Sequence, residues 1–78
     1  MKDKELAFSK LAHLEFLLAD SEYSFGLRDD EDFYKFITIV ELKDRDGADI
    51  MVRALEVRNW KSACAVLQME IDRVERGE

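Results

Sequence analysis

Ile37-Thr38-Ile39-Val40-Glu41-Leu42-Lys43-Asp44-Arg45-Asp46-Gly47-Ala48-Asp49-Ile50-Met51-Val52 is the stretch that decides the fold. Its first four residues are all β-branched, and Phe33, Tyr34 and Phe36 lead into them. Such side chains lose rotamer freedom against a helical turn and fit readily on a pleated surface. A helical reading competes, because Phe33, Phe36, Ile37 and Val40 fall at i, i+3, i+4 and i+7 behind a cap at Asp29 or Asp30. It leads to the alternative, an all-α four-helix bundle.

The segment Asp44-Arg45-Asp46-Gly47 favours the strands. It has the chemistry of a type I turn followed by a glycine bulge, with Gly47 in the left-handed position. That turn sets a register in which Asp44 faces Ala48, Leu42 faces Ile50, Val40 faces Val52 and Thr38 faces Ala54. One sheet face then carries Phe36, Val40, Leu42, Ile50, Val52 and Ala54, which are expected to form the inner, core side. The opposite face carries Ile37, Ile39, Met51 and Leu55 beside Glu41 and Arg53.

Working outward, residues 3 to 19 are expected to form a helix. Ala7, Leu11, Leu14 and Leu18 recur at helical spacing, with Phe8 and Ala12 beside them. Tyr23-Ser24-Phe25-Gly26-Leu27 alternates apolar and small residues and reads as a short third strand. A second helix follows Asn59, a good N-cap, with Trp60, Ala63, Cys64, Leu67, Ile71 and Val74 in one stripe. Gly77 is placed to close it. Val66 and Met69 project off the stripe. The expectation is a small α+β domain spanning residues 1–78, with two or three antiparallel strands covered by two helices.

The order helix, three strands, helix looks like the architecture of double-stranded RNA-binding domains. That family carries a basic N-terminus on its last helix, which grips phosphates. The matching segment here, Asn59-Trp60-Lys61-Ser62-Ala63-Cys64, holds a single lysine, so RNA binding is not carried over with the architecture.

Charge points the same way. Twelve basic residues face eighteen acidic ones, a formal net charge of -6. Affinity for a phosphate backbone comes largely from Lys and Arg displacing counterions, so nucleic acid is an unfavoured partner. The runner-up function is nonetheless nucleic-acid-directed, in one of two forms. One is a degenerate RNA binder using Arg53, Arg58 and Lys61; the other is an acidic decoy for a nucleic-acid-binding protein.

Catalytic groups are sparse. His13 is the one histidine and projects beside the helix stripe, with no nucleophile or carboxylate placed next to it by sequence. Cys64 is the one cysteine and lies inside the apolar stripe of the last helix, a buried small hydrophobe rather than a thiolate. Asp44, Asp46 and Asp49 crowd one turn, but their spacing misses the calcium loop and they read as turn-forming residues. No enzyme activity, metal, cofactor or small-molecule substrate is expected. No apolar run approaches the roughly 20 residues of a membrane span, and the N-terminus does not read as a signal peptide. The expected location is the cytoplasm.

The remaining function class is protein interaction: a homodimer, adaptor, inhibitor or accessory subunit. A sheet face with apolar residues edged by charge suits it. The expected contact residues are Ile37, Ile39, Met51, Arg53 and Leu55. Asp29, Asp30, Glu31 and Asp32 are expected to add an acidic patch that steers a basic partner.

Overall fold

A computed structural model describes residues 2–29 and 36–77. The elements, numbered in chain order, are α1 (Asp3–Leu17), β1 (Tyr23–Asp29), β2 (Ile37–Arg45), β3 (Ala48–Val57) and α2 (Trp60–Glu75). The strands form one antiparallel sheet in the order β1-β2-β3. The domain is therefore α+β with the expected element order, and it is not a four-helix bundle.

The hairpin forms where expected, but through a different turn. Asp46 and Gly47 both take positive φ, 55° and 85°, the signature of a two-residue type I′ connection. Arg45 therefore faces Ala48, Asp44 faces Asp49, Lys43 faces Ile50 and Leu42 faces Met51. A bulge between Glu41 and Leu42 leaves Val52 outside the pairing, and beyond it Glu41 faces Arg53, Ile39 faces Leu55 and Ile37 faces Val57.

Past the bulge Ile37, Ile39, Glu41, Arg53 and Leu55 share one face as expected, but it is this face that the helices cover and not the opposite one. Ile37 and Ile39 are each 1% exposed and belong to the core, whereas Ile50, Val52 and Ala54 are exposed. The cause lies in β1. Its register sets Leu27 against Ile39 and Phe25 against Glu41, so one sheet face collects Phe25, Leu27, Ile37, Ile39, Leu55 and Val57. The other face receives Ser24, Gly26, Arg28, Thr38, Ala54 and Glu56, which are small or polar, with Val40 and Leu42 as its larger apolar residues on these strands. Helices bury the face with more apolar area to remove from water. Gly26 fits its side: a Cβ there would stand 3.3 Å from Val40 Cγ2.

Both helices pack on the apolar face. Ala7, Leu11 and Leu14 from α1 join Ala63, Cys64, Leu67 and Ile71 from α2 around Phe25, Ile37 and Ile39. α1 begins without a side-chain cap, and Asp3 and Glu5 in its first turn suit the helix dipole instead. α2 has the expected cap: Asn59 accepts a hydrogen bond from the Ser62 backbone N–H at 2.8 Å. Gly77, at φ 81°, ends it as expected. Asn59→Ala is expected to cost about 1 kcal/mol, read as a melting-temperature drop of roughly 4–8 °C for a domain of this size. An unchanged melting temperature would remove the cap from the account.

Candidate functional site

Past the bulge, the β2–β3 hairpin continues beyond the helices. Along β3 every residue from Ala48 to Ala54 is exposed. Three consecutive apolar residues stand there: Ile50 at 46%, Met51 at 58% and Val52 at 52% exposure. Successive strand residues point to opposite faces, so both sides of this segment are apolar. Met51 shares the outer face with its cross-strand partner Leu42, which is half-buried. β3 is also a sheet edge, since among the described residues β2 is its one neighbour. An apolar edge strand is a ready template for a further chain.

Val52 lines two shallow hollows. One, of about 660 Å³, runs along the helix side past Leu18, Tyr23, Val74, Arg53 and Arg73. The other, of about 590 Å³, lies towards the turn and is bordered by Glu22, Lys43, Asp46 and Ile50. The first has a greasy wall and a charged one, a combination suited to an apolar side chain carrying a polar tip.

The charged wall is an ion cluster that ties α2 to the sheet. Glu70 is 5% exposed on α2. It accepts hydrogen bonds from Arg53 Nη2 on β3 and from Arg73 Nε at 2.8 Å. Arg53 Nε also lies 3.3 Å from Glu41 Oε1 on β2, and Arg73 Nη2 lies 3.9 Å from Glu41 Oε2. Two carboxylates and two guanidiniums thus alternate across three elements. This composition is balanced in charge, and a buried carboxylate held by two arginines is occupied as a structural group.

The expected contact residues separate in the structure. Met51 is exposed at the hairpin end, and Arg53 is on the surface but engaged by Glu41 and Glu70. Leu55 is half-buried, and Ile37 and Ile39 are core residues, so these three do not form a free face with Met51. Asp29 closes β1 with Lys4 Nζ 3.5 Å from its carboxylate. Asp30, Glu31 and Asp32 lie outside the described residues. Ile50 and Val52 replace the isoleucines as the exposed apolar groups. No local sequence signal marks them, because their exposure depends on how far the helices cover the sheet.

His13 is exposed on α1. Cys64 is buried, and its Sγ–H donates to the Asp3 carbonyl oxygen at 3.2 Å. Burial raises the Cys64 thiol above its ordinary pKa, and the Asp3 charge adds to this while Lys10 opposes it. A thiol so placed stays protonated and unreactive. Of the basic residues considered for RNA, Arg58 lies over the Phe36 ring at 5.8 Å and Arg53 is held in the ion cluster. Among the described residues no group of three or more His, Cys, Asp or Glu is placed to hold a metal ion, and no helix is long and apolar enough to cross a membrane. Comparison with known proteins finds no matching family model, curated protein or solved structure.

Proposed function

We propose that this domain is a non-catalytic protein-interaction module that docks a partner protein on the projecting end of its β2–β3 hairpin. The observation that carries the reading is the run of three exposed apolar residues, Ile50, Met51 and Val52, on an edge strand. Burying them in a contact removes apolar area from water at roughly 25 cal/mol per Å². The edge of β3 supplies backbone hydrogen-bonding groups for an added strand. The hollow at Val52 sets its apolar wall beside the charge-balanced cluster of Arg53, Arg73, Glu41 and Glu70. That hollow favours a partner segment whose apolar side chain carries a polar tip.

The test is quantitative co-purification from the native host with wild type and with Ile50→Lys/Val52→Lys. Both substituted positions are exposed, so the double variant is expected to melt like wild type. A protein retained by wild type and reduced tenfold or more by the double variant supports the reading, since truncating contact anchors typically costs at least 1–2 kcal/mol. Partners retained equally by both forms would sink it.

A further inference from the structure

The hairpin end sorts its charges by face. Lys43 and Arg45 alternate with Asp44 along β2, and successive strand residues point to opposite sides. The two cations therefore lie on the side of Ile39 and Glu41. There Lys43 Nζ is 3.6 Å from Glu22 Oε1 and 5.7 Å from the centre of the Tyr23 ring. Asp44 lies on the outer side with Leu42, and the register sets Asp49 opposite Asp44 and Met51 opposite Leu42. An acidic pair thus stands next to an apolar pair. Both aspartates are exposed, and neither has an ion-pair partner among the described residues. Like charges directly opposite each other on two strands repel and cost stability. Asp46, in the turn, adds a third negative charge at the tip. The other charges of the outer side, Arg28 and Glu56, share a row with Thr38 at the far end of the sheet and balance each other.

An extended segment added to the free edge of β3 sets one residue opposite Asp49 and one opposite Met51 on the outer side, and one opposite Ile50 on the inner side. Such cross-strand neighbours decide which side chain suits each place. Ile50 favours an apolar one. On the outer side a lysine or arginine lays its apolar stem along Met51 and brings its charge to the aspartates. A second copy of this chain suits the place poorly. Each copy carries a net charge of -6, and the one cation on its β3, Arg53, is held by Glu41 and Glu70.

Resting on the docking reading above, we infer that the partner contributes a basic strand, apolar on one side and bearing lysine or arginine on the other, which pairs with β3 and neutralises Asp44 and Asp49. The repulsion between the aspartates is then carried by the free domain and relieved by the partner.

Nuclear magnetic resonance titrations with three short synthetic peptides test it, alternating valine with lysine, with serine and with glutamate. Wild type is expected to bind the lysine peptide, with the largest amide shifts from Asp49 to Val52. The serine peptide should bind about fivefold more weakly, the worth of two exposed charge pairs, and the glutamate peptide more weakly still. Asp44→Asn/Asp49→Asn is expected to lose that same factor for the lysine peptide and to melt no lower than wild type. Glu15→Gln/Asp20→Asn removes equal charge at exposed positions elsewhere and should leave binding nearly unchanged. Equal binding of the lysine and serine peptides would overturn the inference. So would equal losses in the two double variants, shifts centred away from β3, or a markedly lower melting temperature for Asp44→Asn/Asp49→Asn, which would make the aspartates structural. The docking reading fails on a different result, partners retained equally by wild type and Ile50→Lys/Val52→Lys. A partner lost by that variant but kept by Asp44→Asn/Asp49→Asn leaves the docking end in place and removes only the basic strand.

Discussion

Ile39→Asp is expected to leave the chain unfolded at room temperature. Ile39 sits in the central strand, paired with Leu27 on one side and Leu55 on the other, and is 1% exposed under both helices. Truncating such a side chain even to alanine costs about 2–5 kcal/mol. Aspartate adds the burial of a carboxylate with no cation beside it, worth several kcal/mol more. A single core of this size supplies only about 3–5 kcal/mol of net stability, so the substitution exceeds what the fold has to lose. Far-ultraviolet circular dichroism and a urea titration read the result. Val52→Asp is the matched control: also a β-branched residue on a strand of the same hairpin, but exposed, and expected to stay folded. Should Ile39→Asp melt cooperatively near wild type, the helices do not cover this face.

Glu70→Ala is expected to destabilise the domain by about 2 kcal/mol. Hydrogen bonds to charged groups contribute about 1.5–3 kcal/mol each when fully shielded, but both arginines here are partly exposed, at 41% and 39% of their side-chain area. Water therefore compensates part of the loss. What remains is the uncoupling of α2 from β3 and the small void under the missing side chain. A double-mutant cycle with Glu41→Gln separates these, because Arg53 and Arg73 touch both carboxylates and the two substitutions should not add. Strict additivity, or a loss below about 0.5 kcal/mol, would mean that the cluster is a surface decoration. Glu70→Leu extends the test. If packing rather than charge pairing matters at this position, leucine recovers most of the lost stability.

Element order and hairpin position were legible in the sequence because they rest on short-range chemistry. Asn59 caps α2, Gly77 ends it, and the β-branched run 37–40 is a strand. The register was harder. Asp-Gly at 46–47 suits a two-residue turn as well as Gly47 suits a three-residue one, and the difference carries only as far as the bulge at Val52, beyond which Ile39 and Leu55 again share a face. β1 held the information that settles the faces. Its alternation of Tyr23, Phe25 and Leu27 with Ser24, Gly26 and Arg28 marks an apolar side, but the mark is useful only once β1 is paired with β2.

Site residues were less legible than fold. Ile50, Met51 and Val52 look like ordinary strand interior, and their exposure follows from the hairpin outrunning the helices, a matter of three-dimensional length. Glu70 lies on the wetter flank of a helical wheel and is buried because Arg53, far away in sequence, reaches it. The acidic run ending β1 contributes one described residue, Asp29, to an ion pair with Lys4.

The isoleucine methyl groups offer the most direct measurement. The chain holds four isoleucines, at 37, 39, 50 and 71. With these methyls labelled for nuclear magnetic resonance, a soluble paramagnetic chelate should relax Ile50 strongly and leave Ile37, Ile39 and Ile71 nearly untouched. Equal relaxation of Ile39 and Ile50, or a shielded Ile50 beside a relaxed Ile39, would contradict the assignment of the helix-covered face and with it the exposed hairpin end.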